Sequence, residues 1–432
     1  MRVLVLGGGA REHALVARLA ADRDVGELIV APGNPGIGRL ARTIPVDSAN
    51  IDAVLALADR EQIDLTVVGP ELPLSLGLAD RFADEGRLLF GPTAAAARLE
   101  SSKVFAKAFM ARHAVPTARF RACASLDEAL DAVRREEFGV PVVLKADGLA
   151  AGKGVVIAED RDSAERAVRD AMEDRRFGAA GDRLVIEECL RGPEVSYFCV
   201  CDGVRGVPIG TAQDHKRVFD DDRGPNTGGM GAFAPSPLMD AASSTRVMHE
   251  IVEPVLAGMA EEGHPFRGFL YVGLMLTVNG PKVIEFNVRF GDPEAQVVLP
   301  LVDEPLLPLL VAGATGKLTQ RPVTIGHDCL VGVVLASRGY PGGSSSGQLI
   351  RGIDAAEAIP DVAVYHAGTA MRSGEFVTAG GRVLTVVGRG VTYGDAIAKA
   401  YAGVDKISFE GMHYRRDIGK KALKSGNERL ED

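Results

Sequence analysis

Long apolar runs are missing from this 432-residue chain. Nothing approaches the roughly 18–20 residues that span a bilayer, and the longest candidate, Pro305–Thr315, stops short and follows Asp303 and Glu304. Membrane insertion is excluded. Cysteine is scarce, at five residues (Cys123, Cys189, Cys199, Cys201, Cys329), an odd number with no C-x-x-C pair and no histidine at metal-ligand spacing. These read as reduced, mostly buried thiols without chemistry. Positive charge is also in deficit: 49 Lys and Arg against 58 Asp and Glu leave a net charge of −9. Nucleic acids and anionic membranes are therefore poor partners, and any bound phosphate is held by a local site. The N-terminus runs directly into an apolar strand without the basic start and cleavage site of a signal peptide, which points to a cytoplasmic protein. What remains, 46% hydrophobic and 25% charged residues, is ordinary globular composition. The length suits about three domains.

Up to about residue 100, short apolar runs (Val3–Leu6, Leu28–Ala31, Leu65–Gly69, Leu88–Gly91) alternate with helical stretches (Glu12–Ala21, Ile51–Arg60). That rhythm predicts βα units and a parallel sheet. An amphipathic helix is expected over Ser101–His113, with Phe105 and Phe109 one turn apart and Pro116 blocking continuation. A compact α+β unit follows, with strands Val142–Ala146, Val155–Ala158 and Leu184–Glu188 and helices Leu126–Glu137 and Ala164–Asp174, and it reads as a small lid. Beyond it come strands Val195–Val200, Leu270–Val278 and Val283–Phe290, a helix near Thr245–Glu262, and a long polar loop, Asp214–Pro237. A loop of that length needs either a function or disorder to explain it. The last hundred residues hold strands Cys329–Ala336 and Arg382–Gly388 and a helix Tyr393–Val404.

Two glycine-rich turns carry most of the chemistry. Val3-Leu-Val-Leu-Gly-Gly-Gly-Ala-Arg-Glu-His13 is a strand, a turn and a helix start, which aims backbone N–H groups at an anion. It departs from a dinucleotide fingerprint because Glu12 stands at the third glycine position and the second strand ends Ala31-Pro32-Gly33 without an acidic ribose ligand. It is either a phosphate or sugar-phosphate site or merely a tight βα turn. Lys145-Ala-Asp-Gly-Leu-Ala-Ala-Gly-Lys-Gly154 is not a P-loop, since Asp147 and Gly154 break the pattern. Joining two strands, it reads as a hairpin flap that closes over phosphates with Lys145 and Lys153, or else as a flexible surface hairpin. Along Lys282–Glu294, alternation puts Glu285, Asn287 and Arg289 on one face and Ile284, Phe286, Val288 and Phe290 on the other. Two oxygen ligands beside a cation suit a Mg²⁺-bridged polyphosphate, the alternative being a solvated strand face. The strand Val185–Leu190 and Glu194 suit a purine and its ribose, and the Asp214–Pro237 segment is either a substrate loop or a disordered connection.

Taken together, the Gly-Gly-Gly turn with Arg-Glu-His13, Val-Gly-Pro-Glu71, Lys145 to Val155, Gln213-Asp-His-Lys-Arg217, Gly224-Pro-Asn-Thr-Gly-Gly-Met-Gly231 and Arg289-Phe-Gly-Asp-Pro-Glu294 resemble the phosphoribosylamine–glycine ligase family of de novo purine synthesis. The resemblance runs to Tyr414-Arg-Arg-Asp-Ile-Gly419. It implies a multidomain protein of α/β and α+β parts with an ATP-grasp fold. Residues 1–101 form an N-terminal parallel βα domain, 102–325 an ATP-grasp domain with a mobile lid at about 118–190, 326–425 a C-terminal domain and 426–432 a tail. It further implies an ATP-dependent ligase with Mg²⁺ or Mn²⁺ that joins glycine to 5-phosphoribosylamine through glycyl phosphate, as a monomer or weak homo-oligomer. By that resemblance Lys103, Lys145 and the flap Gly148, Gly152, Lys153 and Gly154 meet the ATP phosphates. Glu187, Glu188 and Leu190 follow the adenine and Glu194 the ribose, while Glu285 and Asn287 hold the metal. Gly9, Glu12, His13, Asn34 and Glu71 face phosphoribosylamine, and Asp214, Lys216, Arg289, Gly291 and Asp292 stand near the joining centre with Lys145. One departure from ATP-grasp enzymes in general is that Gly273-Leu-Met275 offers no metal-binding carboxylate on the preceding strand. The rival readings are an ATP-grasp ligase for another carboxylate and amine, an NAD-dependent oxidoreductase, and a non-catalytic ATP-binding regulator.

Overall fold

The computed structural model of the chain describes residues 1–148 and 154–427. Strands β1 (Arg2–Gly7), β2 (Glu27–Pro32), β3 (Arg42–Thr43), β4 (Leu65–Val68) and β5 (Leu89–Phe90) form an all-parallel sheet in the order β3-β2-β1-β4-β5. Both faces are covered by helices, so β1 reads as an unbroken apolar run and Val3 to Leu6 are all fully buried. The expected helix over Ser101–His113 is two helices, Ala94–Ser101 and Lys103–Arg112. Ser102 between them is extended, and its hydroxyl accepts the Phe105 N–H at 3.1 Å, so a side chain that caps the second helix ends the first.

The expected compact α+β unit comes next, its helices ending at Arg134 and Met172 and not at Glu137 and Asp174. Strands β6 (Phe120–Cys123), β7 (Val142–Ala146), β8 (Val155–Ala158) and β9 (Leu184–Glu188) form an antiparallel sheet in the order β6-β9-β7-β8, with helices Leu126–Arg134 and Arg161–Met172 packed on it over Ala129, Leu130, Leu144, Val168 and Ile186. Of the expected glycine flap between β7 and β8, Gly152 and Lys153 lie outside the described residues.

The remaining strands are β10 (Glu194–Asp202), β11 (Gly206–Asp214), β12 (Arg217–Phe219), β13 (Arg223–Asn226), β14 (Gly231–Ala234), β15 (Arg267–Thr277), β16 (Gly280–Asn287), β17 (Cys329–Ala336), β18 (Val362–His366), β19 (Thr369–Arg372), β20 (Glu375–Thr378) and β21 (Arg382–Gly390). Eight of them make one sheet, β16-β15-β10-β11-β14-β17-β21-β18, which passes through the expected boundary near residue 325 by way of the antiparallel β14–β17 pair. The segment Asp214–Pro237 is therefore not a loop. It carries the β12–β13 hairpin and β14, which lies between β11 and the distant β17. Its short, glycine-rich strands leave no local period to read.

The hairpin is gripped from the C-terminal side. The Arg415 guanidinium, fully buried, donates to the Arg217 carbonyl and to Asp222 and Asp417, while the Asp221 and Arg416 N–H groups reach Asp417 and Asp220. Strand β16 also differs from simple alternation. Gly273 pairs with Glu285 but Leu274 with Val283, so Ile284 is an extra residue in a bulge. Val283, Phe286 and Val288 share one core, Ile284 leaves it, and Phe290 packs into another against Phe198 and Phe269. Cys199 and Cys201 are fully buried packing residues. The helix Lys420–Asn427 extends into the expected tail. Among the described residues no helix is long and apolar enough to cross a membrane.

Candidate active site

The four-stranded β6-β9-β7-β8 sheet and the large sheet meet over a row of buried charges. Lys145, near the end of β7, has its ammonium 2.5 Å from Glu187 on β9 and donates to the Ile284 carbonyl of β16 at 2.9 Å. Lys103 opens the helix Lys103–Arg112, and its ammonium donates to the Gly148 carbonyl at 3.0 Å. That helix start is tied to the flap a second time, because Asp147 accepts the Ser102 hydroxyl and the Val104 N–H. Gly148 has φ +138°, which a side chain disfavours, and Gly154 closes the flap base by accepting the Ala146 N–H. Burial lowers the Lys103 ammonium, the Lys145 charge adds to this, and Glu285 works against it. These side chains thus share one electrostatic site. Glu187 is committed to lysines, Glu188 pairs with Arg119 and Lys282, and Glu194 pairs with Lys216 at 2.7 Å. Leu190 lies half-buried just past β9.

The register of the large sheet lines up the other wall. Glu285 faces Gly273 and Asn287 faces Tyr271 on the neighbouring strand. Burial works to raise the Glu285 carboxyl, but the Lys216, Lys145, Lys103 and Arg289 cations outweigh it and hold it below the usual range. Among the described residues no hydrogen-bond or ion-pair partner takes up that carboxylate. A Cβ at Gly273 would stand 3.3 Å from the Glu285 Cγ, so glycine gives the acid its room. A charged carboxylate without a partner beside the Asn287 amide oxygen fits a hard cation that keeps several waters. No set of three His, Cys, Asp or Glu side chains among the described residues could hold a metal ion.

Beyond Asn287 the Arg289 guanidinium joins Glu71 at 3.1 Å and Glu100 at 2.9 Å, and donates to the Asn287 amide oxygen at 3.3 Å. Asp292 accepts from Gln296 at 2.8 Å and from Arg382 at 3.0 Å, and Arg382 also donates to the carbonyls of Gly228 and Asp292. A Cβ at Gly291 would lie 2.5 Å from the Glu294 carboxylate, so a side chain there would have to displace it. Ser196 donates within reach of both Tyr271 (3.0 Å) and Glu294 (3.2 Å). At the end of β11, burial pushes the Asp214 carboxyl up to about 7; Lys216 opposes this, and Glu294, Glu194 and Glu285 reinforce it.

The N-terminal turn is built differently from an open anion nest. The Glu12 carboxylate accepts the Gly9 N–H at 2.7 Å and the Arg11 guanidinium at 2.6 Å, capping its own helix. Gly9 faces Asp292, whose carboxylate would lie 3.8 Å from a Cβ there, so Gly9, Glu12, Glu71, Arg289 and Asp292 gather in one region. His13 and Asn34 point instead to the C-terminal strand β18. His13 Nδ1 accepts the His366 N–H at 2.8 Å, and the Asn34 amide donates to the carbonyls of His366 (2.8 Å) and Gly8 (2.9 Å). Sequence reasoning missed Glu100, Lys107, Ser196, Tyr271 and Arg382, while Arg11 and Glu294 stood within quoted motifs without being given a role.

Burial depresses His13 and His215 to about 3 and His366 to about 4. Both ring nitrogens of His215 lack a hydrogen bond among the described residues. The native state keeps these rings neutral while the unfolded chain protonates them below about 6.5, so their contribution is whole above that pH and is lost as pH falls toward 3–4. Thermal unfolding of the protein should therefore occur at progressively lower temperature between pH 6.5 and 4. The slope should be shallower in His215→Phe; equal slopes would refute the assignment.

Three domain models of one family match most of the chain. The phosphoribosylglycinamide synthetase N domain matches residues 1–100, its ATP-grasp (A) domain 101–295 and its C domain 330–421. A phosphoribosylamine–glycine ligase of Xylella fastidiosa (strain Temecula1) is 50% identical over 98% of both chains, and that of Mesorhizobium japonicum is 49% identical over 98% of this chain and 99% of its own. The crystal structure of the Thermotoga maritima phosphoribosylamine–glycine ligase superposes with a TM-score of 0.83 at 36% identity, covering 96% of this chain and all of that one. A biotin carboxylase domain from Hydrogenobacter thermophilus, solved with MgADP, shares the fold at a TM-score of 0.73 and 17% identity, over 96% of this chain and 91% of that one. The ATP-grasp architecture implied by the resemblance is borne out, and the chain belongs to the phosphoribosylglycinamide synthetase family.

Proposed function

We propose that this protein is an ATP-dependent phosphoribosylamine–glycine ligase of purine biosynthesis, acting in the cytoplasm as a monomer or weak homo-oligomer. Its working divisions are 1–101, 102–325 and 326–425. The observation that carries the reading is the facing pair of walls, with Lys103 and Lys145 on one side and the unpartnered Glu285 with Asn287 on the other. That is the arrangement of charge a metal-bound triphosphate needs.

Glu285 and Asn287 would hold Mg²⁺ or Mn²⁺, which would supply positive charge to neutralise the transferring group. Lys103 and Lys145 meet the phosphates, the flap from Gly148 to Gly154 covers them, and β9 with Glu194 lines the nucleoside. The glycine carboxylate attacks the γ-phosphorus, ADP leaves, and glycyl phosphate forms. The amine of 5-phosphoribosylamine then attacks the acyl carbon, phosphate leaves, and the amide product retains the new C–N bond. A carboxylate is already nucleophilic, so the first step needs charge neutralisation and alignment and no strong base. In the second step the amine loses a proton, and Asp214, held near neutrality beside Lys216, is suited to take it. Arg289 and Asp292 position the acyl group and the incoming amine, with Gly9, Glu12 and Glu71 behind them. The lid excludes water that would hydrolyse glycyl phosphate.

ADP formation measured with each substrate omitted in turn tests this. Turnover should need ATP, glycine and freshly generated phosphoribosylamine together. A ligase for a different carboxylate would leave glycine unused, and that result would overturn the substrate assignment.

A further inference from the structure

Lys107 is assigned no role by any motif. It lies one turn after Lys103 on a mostly apolar helix face, yet it is only 2% exposed, beside Glu187 and Lys145 at 4% each. The Glu187 carboxylate is divided between them: one oxygen touches the Lys107 ammonium and the other the Lys145 ammonium. Lys107 also donates to the Thr117 hydroxyl at 2.7 Å, which donates to the Val283 carbonyl at 2.7 Å, while Lys145 donates to the Ile284 carbonyl. Val283 and Ile284 form the bulge of β16 immediately before Glu285. The three side chains thus join the lid (β7, β9) to the strand that carries the proposed metal ligands. Buried ammonium and carboxylate groups are costly to desolvate and are kept only where paired, so two cations on one anion is an expensive arrangement for packing alone.

We propose that Lys107 is a positioning residue for nucleotide binding: by sharing Glu187 with Lys145 it keeps that lysine aligned but only partly neutralised, leaving a net positive charge to meet the phosphates. The proposal rests on the reading of Lys145 as a phosphate ligand. With Lys107 gone, Glu187 and Lys145 form a neutral buried pair, and the phosphates must compete with a carboxylate for the ammonium. With Glu187 removed as well, the Lys145 charge is free again. A purely structural Lys107 predicts the reverse, because two changes in a buried cluster disturb packing more than one.

MgADP affinity, measured by calorimetry on the full chain, separates the two. Lys107→Met should weaken binding at least about tenfold, equivalent to about 1.4 kcal/mol, and raise the KM for ATP more than it lowers kcat. Lys107→Arg should stay close to the parent, and Lys107→Met/Glu187→Gln should recover most of the loss. Parent-like affinity in Lys107→Met, or a double variant no tighter than the single one, overturns the proposal. Unchanged affinity in Lys145→Ala would instead overturn the underlying site reading.

A second measurement needs no folded methionine variant. The groups facing Lys107 are Glu187 and Glu188 of β9, Lys145 of β7, the Phe120 ring of β6 and the Thr117 hydroxyl, and burial, with the Lys145 charge adding, lowers its ammonium to about 8 against the pull of Glu187. MgADP affinity of the parent should fall as pH rises through that value, and Lys107→Arg should abolish the fall. Identical profiles overturn the proposal.

Discussion

Lys145→Ala is expected to slow glycine-dependent ADP formation by about two to three orders of magnitude, the range seen when one preorganised electrostatic donor is removed from a reacting centre. The reason lies in its surroundings. Lys145 is held from two sides, by Glu187 at 2.5 Å and the Ile284 carbonyl at 2.9 Å, so its charge is fixed before any nucleotide arrives. Deleting it leaves Lys107 and Glu187 as a neutral pair and converts the lid wall from cationic to uncharged at that point. Binding of substrate should weaken less than turnover falls, because the ammonium matters most where charge moves onto the bridging oxygen. Steady-state ADP release with glycine saturating is the readout. A variant with unchanged kcat would remove the main support for the site.

Arg289→Met should be the most damaging change to stability, at about 3–5 kcal/mol, because it strips the partner from buried carboxylates. Burial pushes the Glu100 carboxyl up even with Arg289 beside it, and Glu100 also accepts the Val288 N–H at 2.7 Å. Without the guanidinium, Glu100 must either stay charged and unpaired or take a proton. Urea unfolding should show a lower midpoint at an unchanged slope. Adding Glu100→Gln should restore part of the stability, while activity should stay lost because Arg289 also orders Asn287. If the double variant were no more stable than the single one, the cost would come from lost packing and not from stranded charge.

The sequence exposes those parts of this molecule whose determinants are local. β1 is legible because a strand covered on both faces has to be apolar throughout, and the lid because its strands are bounded by turns. Glu285, Asn287 and Arg289 are legible as one face because two-residue alternation resumes after the bulge. The bulge itself is silent: Ile284 is as apolar as its neighbours, and only the pairing with Leu274 and Gly273 shows it to be the extra residue. Ser102 was readable as a cap but was absorbed into an apparently continuous amphipathic pattern. The β12–β13 hairpin and β14 were read as loop because their stability comes from Arg415, Asp417 and β17, some hundred or more residues away. Lys107 was hidden for a related reason, since a lysine on a helix ordinarily faces water and its acid partner belongs to another element. Glu12, His13 and Asn34 show contacts that the motif does not reveal. The turn is where it was expected, but its N–H group at Gly9 is already taken by Glu12, and two of its neighbours bind the C-terminal strand.

The antiparallel pairing of β14 with β17 makes the C-terminal portion something other than an appendage. A polypeptide ending before residue 329 would present β14 as a raw sheet border with unmet N–H and C=O groups, an invitation to self-association. It would also lose Arg382 and Arg415, and with them the grip on Asp292 and on the hairpin beyond Lys216. Separately produced halves would carry matching borders, so the natural fate of a nicked molecule is to remain zipped together.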